Sequence, residues 1–262
     1  MASTFFGLHI GSSALSSFQV ATNTTANNIA NVKTTGYTRQ EATLQAKDAI
    51  NVTARYGSVG TGVTVTSIKQ QRDLYYDNKY WENNSCYGRY EQKLYYMEQI
   101  QNYFKDNGSS VKGFSSVFSQ MFSDLDTLRS KPSDKTVRNQ FISSAQSLCT
   151  YFNQMSDNLS KLQDDCNEEI RNNVDKINSI SEKISLLNKE INQIETGTGV
   201  EAGSLRDERA NLIDSLSKIV NVSYNETEVQ NTNGDNLGGT NFSLYINGEK
   251  VCLLYTSDAA DE

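Results

Sequence analysis

The strongest pattern in the sequence is a run of apolar positions three or four residues apart. Leu159, Leu162, Cys166, Ile170, Val174, Ile177, Ile180, Ile184, Leu187, Ile191 and Ile194 keep that spacing without a break. The mean step of about 3.5 residues is the period of a coiled-coil seam. Val137, Phe141, Leu148, Phe152 and Met155 extend the series backward, and Asn, Lys, Glu and Asp fill the opposite face. The spacing predicts one helix from Asp134 to Glu195, roughly 90 Å long at 1.5 Å per residue. A compact domain of this size is narrower than that, so the expected molecule is a rod. Lys131-Pro132-Ser133-Asp134 forms the turn before the helix, with Ser133 or Asp134 as its N-cap, and Thr196 to Gly199 stops it.

Three weaker helical patterns precede it. From Ser3 to Ala30 a thin stripe of Leu8, Leu15, Phe18 and Ile29 is diluted by Ala, Ser and Thr, too little apolar surface for a helix that stands alone. A second helix is predicted from Gln71 to Lys105, turning Leu74, Trp81, Tyr87, Leu94, Met97, Ile100 and Phe104 toward a core and ending at Asn107-Gly108-Ser109-Ser110. A third, near 114–130, places Phe114, Val117, Phe118, Met121, Leu125 and Leu128 at spacings of three or four. Between the first two, residues from Tyr37 to Lys69 read as extended chain punctuated by Gly57, Gly60 and Gly62. After the long helix, Ser204 is placed to cap a last helix through Ile219. Val220 to Tyr224 and Phe242 to Ile246 alternate as strands, and Asn247-Gly248 suits a two-residue hairpin turn. The expected fold is mainly α, an elongated long-helix coiled-coil bundle with small β segments at its ends. Pro132 is the single proline, which permits such long helices, since proline costs about 3 kcal/mol inside one.

Composition narrows the function classes. With 37% hydrophobic and 21% charged residues the chain is polar but foldable. A net charge of −7 with no basic cluster argues against nucleic acid as a partner. No apolar run approaches the roughly 20 residues that cross a bilayer, so no membrane insertion is expected. The first ten residues lack the basic and apolar regions of a cleavable secretory signal.

Candidate chemistry is sparse. Cys86, Cys149, Cys166 and Cys252 are far apart and His9 is the single histidine, so neither a metal site nor a thiol site is expected, and the thiols read as isolated and mostly buried. No cofactor is expected. Asp164, Asp165, Glu168 and Glu169 fall on the polar side of the predicted seam, a solvated face rather than a catalytic pair. No Gly-x-Ser-x-Gly elbow accompanies His9, which reads as a helical surface residue. The glycines at 57–62 lack the Lys-Ser/Thr of a phosphate loop and read as turn glycines. The cluster Leu74, Tyr75, Tyr76, Tyr80 and Trp81 reads as core rather than as a stacking groove. The chain is not expected to be an enzyme.

One ordered motif stands out. Ala26-Asn27-Asn28-Ile29-Ala30-Asn31, followed by Thr34 or Thr35 and Gly36-Tyr37, resembles the N-terminal signature of the flagellar axial proteins of rod, hook and hook-filament junction. Physically, a helix end crowded with Asn satisfies orphan carbonyls, and Gly36 supplies a turn. Gly36-Tyr37-Thr38-Arg39-Gln40, the segment from Gly60 to Val65, the long seam, and Leu205-Arg206-Asp207-Glu208-Arg209 with Leu212 to Val220 resemble the hook-associated branch at that junction.

The resemblance implies a structural subunit with residues 1–36 as the axial inner-tube helix (D0-like), 37–70 as an extended β linker, 71–252 as a helical D1-like domain with a terminal hairpin, and 253–262 as a non-native tail resembling translated sequencing adapter. It implies assembly contacts at Leu8, Leu15, Phe18, Asn27, Asn28, Ile29, Asn31, Gly36, Tyr37 and Arg39. The implied partners are other copies of the chain in a ring, the hook protein, the next hook-associated protein and the filament, and the flagellar type III export apparatus with its chaperone. The implied location is extracellular, in the flagellum, and a C-terminal helix that pairs with the first helix is expected beyond this N-terminal part. Two other readings remain open: a hook or rod protein shares the first motif but lacks the long seam, and a secreted coiled-coil interaction protein explains the helices but not the order of the Asn residues. A cell-wall hydrolase is the third class, which a zymogram tests.

Overall fold

The structure, a computed structural model, describes residues 5–51, 57–105, 113–198, 200–232, 234 and 236–252. The elements in chain order are α1 (Phe6–Ala30), β1 (Gln40–Ala46), β2 (Ile50–Asn51), β3 (Ser58–Val59), β4 (Val63–Gln70), α2 (Leu74–Tyr103), α3 (Phe114–Ser130), α4 (Lys135–Glu195), α5 (Gly203–Ser217), β5 (Val222–Gln230), β6 (Asn236–Ile246) and β7 (Glu249–Cys252). The fold is mainly α, dominated by the 61-residue α4. Two compact units are distinguishable: Met1–Cys86 with Ile177–Glu262, and Tyr87–Lys176. The boundaries fall inside α2 and α4.

In the first unit, β1 and β4 pair antiparallel from Gln40↔Gln70 to Ala46↔Val63, with a register shift at Thr43/Leu44. β5, β6 and β7 form a second antiparallel sheet in that order. Its β6–β7 turn is Asn247-Gly248, with φ of 51° and 88°, the left-handed pair that a tight hairpin needs. The core gathers Trp81 of α2, Ile180 and Ile184 of α4, Ile213 and Leu216 of α5, and Val222, Phe242 and Leu244 of the sheet. Each fully buried side chain of this kind stabilises by about 1.5–3 kcal/mol. Trp81 donates its indole N–H to Asp214 Oδ1 at 2.6 Å, so its polar atom is satisfied as its ring is buried.

In the second unit, α3 and the start of α4 form a helical hairpin. Asp134 caps α4, accepting the Thr136 N–H at 2.8 Å. Phe114 stacks on Phe118 at 5.1 Å and lies 5.9 Å from Phe152. The inward positions are Val117 and Asp124 on α3, and Ser144, Met155 and Leu162 on α4.

Several expectations are corrected. Of the α2 residues expected in a core, Trp81 is buried and Ile100 half-buried, whereas Leu74, Tyr87, Leu94, Met97 and Phe104 are exposed. Gln92 and Tyr96 turn inward instead, each bonding the Glu169 carboxylate, which is thereby drawn off the solvated face assigned to it. Hydrogen bonds, not apolar content, orient this helix. Tyr75, Tyr76 and Tyr80 are likewise exposed, leaving Trp81 as the core member of that aromatic cluster.

Along α4, Phe152, Leu159, Ile170, Val174 and Ile194 of the predicted seam are exposed. A straight helix turns every 3.6 residues, so a stripe of period 3.5 drifts off any one neighbour. Ser204 does not cap α5: the helix begins at Gly203 without a side-chain cap, and Glu195 Oε1 accepts the preceding Ala202 N–H at 2.9 Å. Cys86 and Cys149 are exposed and Cys166 is half-buried, none in a disulfide, because they lie off the inward faces of their helices. The expected stop at 107–110 and the tail at 253–262 lie outside the described residues.

Candidate functional site

The Asn-rich end of α1 is tied to the chain that follows it. Asn31 donates to Asn27 O at 3.0 Å and to Asn27 Oδ1 at 2.9 Å, occupying a carbonyl that the helix end leaves open. Thr34 Oγ1 donates to Asn31 Oδ1, and Asn27 Nδ2 to the Tyr37 hydroxyl. Asn28 does most. Its Oδ1 accepts the Tyr37 O–H at 2.8 Å and the Gln40 N–H at 2.9 Å, and its Nδ2 donates to Gln40 O at 2.8 Å. The carboxamide thus pairs with Gln40 as a neighbouring strand would.

Gly36 turns the chain with φ of +77°, and a Cβ there would lie 1.8 Å from Asn211 Oδ1 of α5, so both conformation and space require glycine. Beyond it, Thr38 N–H donates to Asp207 Oδ1 at 3.2 Å, and Gln70 Nε2 reaches the same oxygen at 2.8 Å. Gln70 N–H donates to Glu201 Oε2 at 2.9 Å.

The remaining charges of α5 are neutralised beneath this junction. Arg206 forms a fork with Glu195, Nε to Oε1 at 2.7 Å and Nη2 to Oε2 at 2.8 Å, and reaches Glu226 Oε1 at 3.1 Å. Arg209 donates to both oxygens of Glu226 and to Asn188 Oδ1, and its guanidinium lies 4.0 Å above the Phe242 ring. Thr240 Oγ1 donates to Glu226 Oε1 at 2.7 Å.

Burial opposes the Arg206 charge, but hydrogen bonding to Glu195 and the charges of Glu226, Glu195 and Glu201 overcome it and hold its pKa above the ordinary value. For Arg209 burial prevails and lowers the pKa despite Glu226. Burial also opposes the Glu226 carboxylate, yet Arg209 and Arg206 outweigh it and hold its pKa below the ordinary value. Asp214 moves the other way, raised by burial against the Trp81 N–H and the Arg72 charge. These groups join the end of α4, α5, β5 and β6. They are consumed by one another, which suits a joint better than catalysis.

Leu8, Leu15, Phe18 and Ile29 lie on one face of α1, between 58 and 72% exposed. The opposite face meets the β1–β4 hairpin: Ser17 Oγ donates to Val63 O at 3.2 Å and Ser13 Oγ accepts the Val63 N–H at 3.4 Å. The Arg39 side chain is exposed while its carbonyl accepts the Gln71 N–H. The structure therefore brings Asn27, Asn28, Asn31, Gly36 and Tyr37 into one network and leaves the four apolar residues outside it. Sequence reasoning missed Gln40, Gln70, Asp207 and Asn211 as its other members; the only signal was the order of residues in 205–209. His9 is on the helix surface. Among the described residues no group of His, Cys, Asp or Glu could hold a metal ion, and no helix is long and apolar enough to cross a membrane.

Residues 97–255 match the family model described as the flagellar hook-associated protein FlgK helical domain, and residues 8–38 match that of the flagella basal body rod protein. The chain belongs to the flagellar hook-associated protein FlgK family. It is 34% identical over 234 residues to flagellar hook-associated protein 1 of Bacillus subtilis (strain 168), covering 87% of this chain and 46% of that protein. The same-named protein of Salmonella typhimurium (strain LT2) is 31% identical over 248 residues, covering 92% of this chain and 42% of the relative. The chain thus spans about half the length of the curated FlgK relatives it matches. The flagellar hook junction protein FlgK from Burkholderia pseudomallei shares the fold, with a TM-score of 0.52 at 21% identity over 69% of this chain and 29% of that one.

Proposed function

We propose that the chain is part of a structural subunit of the bacterial flagellum that forms the junction between hook and filament, and that it has no catalytic role. The observation that carries the reading is α1: its apolar residues Leu8, Leu15, Phe18 and Ile29 face water while its polar face is docked. Exposed apolar side chains on one helix gain about 25 cal/mol per Å² when neighbours cover them, and a helix this polar gains little otherwise. Copies of the subunit would supply that cover in a ring, with the hook protein on one side and the next hook-associated protein and filament on the other. Export by the flagellar type III apparatus with a chaperone, without cleavage, fits the family and the extracellular location.

The test is assembly. Replacing Leu15 and Phe18 by Asp in the full-length protein should abolish filament growth in cells while the purified protein keeps its helical circular dichroism. Removing residues 3–30 should do the same. Normal filaments from either variant would overturn the reading.

A further inference from the structure

The segment 36–40 is gripped from two sides. On one side the Asn28 carboxamide binds Tyr37 and both backbone groups of Gln40. On the other, Asp207 Oδ1 accepts the Thr38 N–H while Gln70 Nε2 shares the same oxygen, and Gly36 closes on Asn211. The residues that α1 buries are Ser17 and Thr24, not apolar ones. Its docking therefore depends on directional hydrogen bonds rather than on buried area, and such bonds fix orientation while leaving little free energy to spare.

We propose that Asn28 and Asp207 are the two anchors of an intramolecular clasp, with 36–40 as its strap, that fixes the direction of α1 in the unassembled subunit and so presents Leu8, Leu15, Phe18 and Ile29 to incoming copies. The Asn residues of the signature then act within one chain, not between copies. Asp207 is a positioning residue that reaches α1 only through the strap. The purpose assigned to the clasp rests on the assembly reading, but the clasp itself does not.

Amide hydrogen exchange on the full chain tests it, comparing the wild type with Asn28→Ala, Asp207→Ala and Asp207→Asn. Loss of an anchor should raise local opening by about tenfold. In Asp207→Ala the amides of residues 24–31 should exchange faster by that factor, although Asp207 bonds no atom of α1, while those of Leu216 and Leu244 keep their wild-type rates. Asp207→Asn retains the acceptor oxygen and should behave as wild type. Should Asp207→Ala fail to fold, Asn28→Ala reads the clasp from the other end, through faster exchange at Thr38 as well as at Gln40.

Unchanged protection of 24–31 in Asp207→Ala overturns the clasp. So does equal acceleration in the core, which would make Asp207 a support of the body, and so does an Asp207→Asn variant that exchanges like Asp207→Ala. None of these results depends on filament growth. A clasp that fails leaves the assembly reading standing, and filaments built without the apolar residues of α1 would leave the exchange result standing.

Discussion

In the unit containing α5 and the three-stranded sheet, Ile184, Leu216 and Leu244 are completely shielded from water. In the unit from Tyr87 to Lys176, the stripe Tyr87, Tyr90, Leu94, Met97 and Phe104 on α2 is between 53 and 64% exposed although its spacing is that of a helix seam. Both units draw on α2 and α4, so helix composition alone does not explain the difference. What differs is a second layer: a sheet face covers one apolar surface, whereas the other unit has helices only and orients α2 by polar contacts to Glu169. Periodic apolar residues establish that a helix forms; a core requires something to lie against them.

The largest expected effect is at the centre of the closed unit. Trp81 is 1% exposed, packs 5.3 Å from Tyr224 and donates to Asp214. Trp81→Ala should lower the unfolding free energy by about 4 kcal/mol, through lost burial, an open cavity and an unpaired Asp214 oxygen. Urea unfolding followed by circular dichroism measures it; a loss below about 1 kcal/mol would mean that this core is not closed in solution.

Trp81 illustrates what was legible. Its burial, the bounds of α3 and the Asn247-Gly248 turn are local consequences of spacing and turn chemistry, and they stand as read. The inward face of α2 was not legible, because tyrosines fit either side of a helix and distant partners such as Glu169 decide between them. The start of α5 was hidden for a similar reason: the acceptor is Glu195, a carboxylate at the end of another helix, not the adjacent Ser204. Asn28 and Gly36 could be singled out by their order in the signature, but their contacts with Gln40 and Asn211 are tertiary facts.

Next in size is the ion cluster of the closed unit. Arg209→Ala removes the cation that Glu226 and Asn188 hold, leaving a buried carboxylate with fewer partners, and should cost about 3 kcal/mol. The same substitution at Arg129, an exposed residue 3.8 Å from Asp126 in the other unit, should be close to neutral. Parallel unfolding curves for the two variants measure the contrast, and equal losses would break it.

A smaller effect is the pH dependence that the cluster creates. The folded-state pKa of Glu226 lies below its ordinary value of 4.5, so the unfolded chain binds the proton more readily. The carboxylate's contribution is complete above about pH 4.5 and disappears as pH falls through the folded pKa. Asp214 has the opposite sign, its raised pKa favouring the folded state as pH falls, so the two partly cancel in the whole protein. Glu226→Gln isolates the first: the variant should be less stable at neutral pH, and its curve of stability against pH should fall less steeply below pH 4.5 than that of the wild type. Identical slopes in titrated urea unfolding would show that Glu226 is not held by the two arginines.

The smallest effect is the most discriminating for the open unit. Leu94 is exposed on α2 and points away from the face that carries Gln92 and Tyr96. Leu94→Ser removes apolar area that water already reaches, so the remaining cost is the weaker helix propensity of serine. That cost is a few tenths of a kcal/mol, and the change in unfolding free energy should stay within about 0.5 kcal/mol. Leu216→Ser, the same exchange at a site sealed by α5 and the sheet, strips a core side chain and buries a hydroxyl, and should cost several times more. If Leu94→Ser instead cost as much as Leu216→Ser, the α2 stripe would be covered in the free chain and the asymmetry between the two units would not exist in solution.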